Sequence, residues 1–160
     1  MTVDVQIIDY LEPKQAQDMI YLLNQYALDP MGGNAPLGEN VKDSLTDALS
    51  KVPNAFSIIC YLGGKPAGLA NCFIGFSTFK CKPLINIHDL VVSSEFRGRG
   101  VSQYLLQKIE SIAMKKGCCK VTLEVLEGNV IAQKAYQKFG FSGYELDPKM
   151  GKAMFWEKAL

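Results

Sequence analysis

The chain has 160 residues, of which 48% are hydrophobic and 21% are charged. This size and composition fit one globular domain with a sizeable apolar core, and they exclude a disordered or fibrous protein. The 17 basic and 16 acidic residues leave a formal net charge of +1, and no basic run predicts binding to nucleic acid.

Targeting signals and metal-ligand patterns are missing from the sequence. The first residues carry Asp4 and Asp9 without a basic region and apolar stretch, so no signal peptide is predicted. No uncharged apolar run approaches the roughly 18 residues of a membrane span. Five cysteines without a CxxC pair, and a single histidine, argue against a disulfide framework and a zinc site. We expect a cytoplasmic protein with no metal, no nucleic-acid partner and no membrane partner.

The first part of the chain predicts one strand and two helices. Alternating apolar residues predict a strand at 3–8. Pro13 suits the first turn of a helix, and Asp29-Pro30 ends that helix. The loop MGGNAP at 31–36 leads to a second helix, which Pro53 ends.

Strands and helices then follow in a second pattern. Strands are predicted at 55–61, 66–76 and 84–92, and Gly63-Gly64 between the first two predicts a hairpin turn. The remaining predicted elements are a helix at 101–116, a strand at 120–126, a helix at 129–140 and strands at 141–146 and 152–158. Antiparallel strands followed by a parallel strand-helix-strand crossover indicate one α/β (α+β) domain over residues 1–160.

The turn SSEFRGRG between the strand at 84–92 and the helix at 101–116 is the segment that predicts chemistry. The free N–H groups and the positive dipole end of the helix point into this turn. Gly98 and Gly100 remove side chains that would hold an anion away from the backbone. The GxxxxGK[ST] pattern is absent, and Gln103 stands where GxGxxG needs its third glycine. The alternative is a tight turn without a ligand.

Two separated motifs resemble the GNAT N-acetyltransferase superfamily. RGRGVS at 97–102 resembles its [Q/R]xxGx[G/A] motif, with Ser102 in place of the usual Gly or Ala, and NVIAQKAYQKFGF at 129–141 resembles its second signature. The resemblance implies the GNAT fold across 3–158: a central mixed, mostly antiparallel sheet of six to seven strands flanked by about four helices.

The resemblance also implies acetyl-CoA as the acyl donor and backbone N–H groups that bind its pyrophosphate. Asn129 is open to two interpretations, a helix N-cap and a contact to the pantetheine. The implied cofactor-binding residues are Leu90, Val91, Val92, Arg97, Gly98, Arg99, Gly100, Val101, Ser102 and Asn129.

Two residues are candidates for proton transfer. Tyr136 occupies the position of the family's usual tyrosine and is a candidate acid for the leaving thiolate, although a helical tyrosine also serves as packing. His88, the single histidine, is the candidate base, with Glu124 or an ordered water as alternatives. Some GNAT polyamine acetyltransferases have a catalytic glutamate where this chain has His88. In a regular strand, Asp89 would point to the opposite face from His88.

The resemblance places the acceptor opposite coenzyme A, and the candidate substrate-binding residues are Asp29, Met31, Phe76 and Glu124. The sequence therefore predicts an N-acetyltransferase that moves an acetyl group to a primary amine of a small molecule or amino acid by direct attack in a ternary complex. Alternatives are a protein or peptide acetyltransferase, a non-catalytic acyl-CoA sensor, and a nucleotide-binding protein that shares the turn. Dimers are frequent in the family, but the sequence shows no interface signature.

Overall fold

A sheet of five strands lies at the centre of the computed structural model, which describes all 160 residues. The strands are β1 (Val3–Ile7), β2 (Ala55–Leu62), β3 (Lys65–Ser77), β4 (Lys82–Val92) and β5 (Val121–Leu123). Their order in the sheet is their order in the chain, and each neighbouring pair is antiparallel except β4 and β5, which are parallel. The predicted mixed, mostly antiparallel sheet is confirmed.

Four helices flank the sheet, as predicted: α1 (Pro13–Leu28), α2 (Glu39–Ser50), α3 (Val101–Lys115) and α4 (Val130–Phe139). Local side chains and glycines define their ends. The Glu12 carboxylate accepts the N–H groups of Lys14 and Gln15 at the start of α1. Asn129 Oδ1 accepts the Ala132 N–H at the start of α4, and Gly140, with φ of 114°, ends that helix.

The sheet separates two hydrophobic clusters of unequal size. The cluster of seven buried residues on the side of α1, here called the α1 face, includes Met19, Leu22 and Leu69. The cluster of 15 buried residues on the side of α3, here called the α3 face, includes Leu105, Ile109 and Tyr136. The start of α3 lies so close to β3 that a β-carbon at Gly68 would collide with the Val101 side chain. Glycine at position 68 therefore sets how closely α3 packs on the sheet.

The two strands predicted at 141–146 and 152–158 do not form, so the sheet has five strands rather than six to seven. A single bridge joins Glu145 to Lys152, and every residue after Phe141 is exposed, including Trp156 at 79%. The two segments contain aromatic residues, which favour a strand only where a neighbouring strand and a core receive their side chains. Here the ladder of β5 is three residues long, and no strand pairs with its outer edge.

An apolar cavity of about 360 Å³ lies beside β5, between α3 and the end of α4. Its walls include Leu106, Ile109, Phe139 and Phe141. The cavity is on the α3 face and contains none of the residues that the sequence predicted for catalysis. None of the helices has the length and hydrophobicity required to cross a bilayer.

Candidate active site

The turn before α3 has the geometry of an anion cradle. Gly98 and Gly100 have φ angles of 75° and 76°, a conformation that side-chain-bearing residues rarely adopt. Helix α3 has no side-chain cap, and the backbone N–H groups of residues 98–103 donate no hydrogen bond within the chain. These free donors at the positive end of a helix dipole fit a phosphate group.

The side chains around this turn hold the helix rather than fill the cradle. Val101 is buried against β3, which fixes the first turn of α3 on the sheet. Arg97 and Arg99 remain exposed, so an anionic ligand can reach their guanidinium groups, in competition with Asp29 at Arg97. Ser102, the departure from the family motif, keeps its backbone N–H free.

Strands β4 and β5 separate after a short parallel ladder. Their pairing runs from Ile85↔Val121 to Ile87↔Leu123 and ends there, although β4 continues to Val92. On its other side, β4 stays paired with β3 through Leu90, Val91 and Val92. One edge of β4 is therefore free of strand partners beyond Ile87, including residues 90–92, which the resemblance implied for cofactor binding.

A β-bulge at His88 changes which way the side chains of β4 point. Asn71 pairs with Asp89 and Cys72 pairs with Ile87, so His88 is the extra residue. Ile85 and Ile87 belong to the α3 face, whereas Val91 belongs to the α1 face. The expectation that Asp89 and His88 point to opposite faces was wrong, because it assumed a regular strand.

The bulge instead brings the two side chains together. Asp89 Oδ2 lies 3.4 Å from His88 Nδ1, and the same oxygen accepts a hydrogen bond of 3.0 Å from Asn71 Nδ2. The His88 ring is largely exposed and packs edge-on against Phe73, with ring centroids 5.7 Å apart. The predicted base thus has one nitrogen next to a carboxylate and a ring held by an aromatic neighbour.

Tyr136 is buried in the α3 face, where its ring contacts Phe141 edge-on. Burial, with a smaller contribution from nearby Tyr26, raises the pKa of Tyr136 to about 12. Its hydroxyl oxygen makes no hydrogen bond within the chain, yet it is not sealed from solvent. The phenol is therefore protonated at neutral pH and its proton is free to be donated.

Tyr26, at the end of α1, connects the predicted residues of the site. Burial raises the pKa of Tyr26, and the negative charges of Asp89 and Asp29 raise it further. Since Tyr26 also raises the pKa of Tyr136, Tyr26 is within electrostatic range of Asp29, Asp89 and Tyr136. The four side chains come from α1, the turn after it, β4 and α4.

Asp29 contacts the anion cradle directly. Its Oδ2 accepts a hydrogen bond of 3.2 Å from Arg97 Nη2, and its Oδ1 accepts the Met31 N–H at 2.9 Å. The carbonyl of Met31 is 3.5 Å from the Tyr26 hydroxyl. A predicted acceptor residue and a predicted cofactor residue therefore form one ion pair.

The other predicted residues lie further from this region or have a structural partner. Asn129 caps α4, which satisfies one of its two interpretations. Phe76 is exposed and pairs with Pro83 near the tip of the β3–β4 hairpin, several residues from the bulge. Glu124 is exposed just after the end of β5. No group of three or more His, Cys, Asp or Glu side chains could hold a metal ion.

Comparison with known proteins identifies the family. Residues 16–141 match the acetyltransferase (GNAT) family, which is most of the chain. The chain belongs to the GNAT acetyltransferase family. The resemblance inferred from the two motifs is thereby confirmed.

Curated relatives of this GNAT protein match about half of the chain or less. It is 32% identical over 84 residues to the thialysine N-epsilon-acetyltransferase of Bos taurus, covering 48% of each chain. The chain spans about half or less of the length of the curated relatives it matches.

Two solved structures share the fold. A V. cholerae integron cassette protein has a TM-score of 0.80 at 22% identity, covering 99% of this chain and 94% of its own. The aminoglycoside N-acetyltransferase AAC(6')-Iy in complex with CoA has a TM-score of 0.76 at 20% identity, covering 99% of this chain and 96% of its own. At such low identity they show that the GNAT fold is present, and nothing about substrate.

Sequence reasoning missed Tyr26, Asn71 and the contact between Asp89 and His88. Tyr26 continues the α1 stripe four residues after Leu22, so a signal for its position existed but not for its neighbours. Asn71 is an isolated polar residue within the apolar run of β3, and a buried amide of this kind requires hydrogen-bond partners. That requirement was the available signal.

Proposed function

We propose that this GNAT protein transfers an acetyl group from acetyl-CoA to the primary amine of a small molecule or amino acid. The observation that carries the proposal is the glycine turn with free N–H groups, which lies directly after the strand whose edge separates from β5. The cradle fits a pyrophosphate, and the free strand edge offers main-chain groups to an extended pantetheine chain and its thioester.

Acetyl-CoA supplies a thioester when bound, and the amine nitrogen forms the new C–N bond as the C–S bond breaks. His88 accepts at Nε2 the proton that a protonated acceptor must lose before it can attack. This proton later passes to solvent. The backbone of residues 90–92 orients the acyl donor along β4.

Tyr136 serves the leaving sulfur. Its raised pKa keeps the hydroxyl protonated at neutral pH but makes it a weaker acid than a free phenol. Its contribution is therefore a hydrogen bond that strengthens as charge develops on sulfur, followed by proton delivery to the thiolate. Tyr136 regains a proton from the amine nitrogen, so that amide and thiol both leave neutral.

A cationic small amine suits the acceptor side of this site. After burial, the negative charges of Asp89 and Asp29 are the causes that raise the pKa of Tyr26, so two carboxylates act on this side of the site. The similarity to a thialysine N-epsilon-acetyltransferase supports a small amine as the class of acceptor and leaves the particular amine open.

The test is titration calorimetry with acetyl-CoA, followed by mass spectrometry of the same sample with an amine panel that includes thialysine, lysine, spermidine and sisomicin. We expect saturable binding and acetylation of at least one panel member. Binding without any product, extended to a set of peptide amines, would favour the sensor over the enzyme. Absence of binding would contradict the proposal.

Two variants separate cofactor binding from chemistry. Gly100→Val forces a β-branched residue into a conformation with φ of 76° and should abolish acetyl-CoA binding in a chain that remains folded by circular dichroism. Tyr136→Phe should keep the affinity for acetyl-CoA and lower kcat on the acetylated amine about 100-fold. Normal turnover by Tyr136→Phe would remove Tyr136 from its proposed role.

A further inference from the structure

A continuous chain of polar side chains crosses the otherwise apolar α1 face and ends at His88. Tyr10 Oη is 2.8 Å from Ser57 Oγ, and Ser57 Oγ is 2.6 Å from Asn71 Oδ1. Asn71 Nδ2 then donates to Asp89 Oδ2, which is next to His88 Nδ1. Ser57 and Asn71 are only 1% and 5% exposed, so water does not replace these bonds.

The carboxylate of Asp89, at the end of this series of polar side chains, determines the direction of every hydrogen bond in the series. An ionised Asp89 only accepts, so Asn71 must present its NH2 group to it and its carbonyl oxygen to Ser57. The Ser57 hydroxyl therefore donates to Asn71, and its remaining partner, Tyr10, must donate to Ser57. Burial, the largest cause, raises the pKa of Tyr10, which keeps it a donor.

This ordered chain fixes the Asp89 carboxylate. The Asn71 amide has no other orientation that satisfies both of its partners, because reversing it would place its carbonyl against the carboxylate. Asp89 Oδ2 is consequently held at one place beside the imidazole. Chains of hydrogen bonds of the same direction also reinforce each other.

Among the side chains around His88, Asp89 is the charged one that contacts Nδ1. Phe73 of β3 supplies an apolar contact to the ring. Burial, with a smaller contribution from the charge of Asp89, raises the pKa of Tyr26 of α1 and of Cys72 of β3, so both are neutral near pH 7. The 3.4 Å between Asp89 Oδ2 and His88 Nδ1 exceeds an ordinary N–H···O distance, so the proposed hydrogen bond requires the exposed ring to move closer.

We propose that Asp89, held by Asn71, Ser57 and Tyr10, is a positioning residue that keeps the proton of neutral His88 on Nδ1 and leaves Nε2 free to act as the base. The hydrogen bond at one ring nitrogen determines the state of the other. When Nε2 takes a proton from the acceptor amine, Nδ1–H stays with Asp89 and the imidazolium charge faces a carboxylate. The catalytic part of this inference rests on the proposed function, while the position of the ring proton does not.

Because His88 is the sole histidine, its protonation can be observed directly. Two-bond ¹H–¹⁵N correlation spectra of the ¹⁵N-histidine-labelled full chain report which ring nitrogen carries the proton. The spectra are recorded above the pH at which the signal stops titrating, without any acyl donor or amine. We expect the Nδ1–H form to be the major one in the unmodified protein, and a major Nε2–H form contradicts the proposal outright.

Variants test each member of the hydrogen-bonded series. Asp89→Ala removes the acceptor beside Nδ1 and should convert the major species to the Nε2–H form. Ser57→Ala and Asn71→Ala should each lower the Nδ1–H share by a smaller amount, and Ser57→Ala keeps the test valid if Asn71→Ala fails to fold. An unchanged tautomer in Asp89→Ala would overturn the role of Asp89.

Asn86→Ala is the matched control. Asn86 is on the same strand, and its amide donates to Thr122 Oγ1 at 3.0 Å, outside the polar chain. The Nδ1–H share should stay unchanged in this variant, and a change as large as that of Asn71→Ala would show a general disturbance of β4. Since no step involves acetyl-CoA, failure of the proposed function and failure of this inference give separate results.

Discussion

The two faces of the sheet differ in what their cores contain. The α3 face has 15 buried residues in a cluster that is apolar apart from thiols and the Tyr136 hydroxyl. The α1 face has seven, and the bonded polar residues Ser57 and Asn71 lie buried beside them. The larger face anchors the helix whose N-terminus forms the anion cradle, and the smaller one contains the polar residues that we propose position the proton of His88.

The bulge at His88 is what makes this division possible within a single strand. Before it, Ile85 and Ile87 contribute to the α3 face, and after it Asp89 and Val91 contribute to the α1 face. A regular strand would have sent Asp89 to the α3 face, where no polar partner of the chain would meet it. The bulge also coincides with the point where β5 leaves β4.

The same truncation on each face should give the largest effect and measure the difference between the cores. Leu105 of the α3 face and Leu22 of the α1 face are both fully buried. We expect Leu105→Ala to lower the free energy of unfolding by about 4 kcal/mol and Leu22→Ala by about 3 kcal/mol, because the larger cluster can collapse less around the cavity. Urea denaturation measures both, and a larger loss for Leu22→Ala would contradict this ranking.

Alkaline pH should weaken the α3 face through its buried thiols. Burial raises the pKa of Cys60 to about 11 and of Cys72 to about 12 from the ordinary thiol value of 9.0. Above pH 9 the unfolded chain releases these protons while the folded chain keeps them, so the free energy of unfolding falls as pH rises through the folded pKa values. Each such group contributes about 1.4 kcal/mol per pH unit.

The variant Cys72→Ala isolates one thiol. Between pH 9 and pH 11, in the presence of a reductant, it should lose about 2 kcal/mol less than the unmodified chain. Cys81, which is exposed, provides the control, since Cys81→Ala should leave the pH dependence unchanged. Equal pH profiles for Cys72→Ala and the unmodified chain would contradict the proposed contribution of Cys72.

The sequence predicted the parts of the fold that local signals determine. Gly63-Gly64 gave the hairpin, and the turn with Gly98 and Gly100 gave both the start of α3 and the anion cradle. Helix α4 followed from its Asn129 cap and Gly140. In each of these places, residues within a few positions of one another carry the information.

Features that depend on distant residues could not be predicted in this way. The bulge at His88 arises from the register between β3 and β4, and the apolar alternation of β4 alone does not encode that register. The chain from Tyr10 to Asp89 joins residues 47, 14 and 18 positions apart along the sequence. The predictions of strands at 141–146 and 152–158 were wrong for the same reason, because a strand forms only where the edge of another strand is available for pairing.

A single ion pair links the two sides of the site, and breaking it should give the smallest effect on stability. Arg97 belongs to the cradle and Asp29 to the turn after α1. We expect Asp29→Asn to change the free energy of unfolding by about 0.5 kcal/mol or less, because the pair is partly exposed and the amide keeps an oxygen for the Met31 N–H.

The affinity for coenzyme A should respond more than the stability does. In the unmodified chain the Asp29 carboxylate competes with an incoming pyrophosphate for Arg97, and Asn removes that competitor. Calorimetry with coenzyme A should therefore show a Kd lower by about two- to fivefold, most clearly at low salt. Asp47→Asn breaks the exposed Lys51–Asp47 pair on α2 and should leave the Kd unchanged. If both variants tightened binding equally, net charge rather than the release of Arg97 would be the cause.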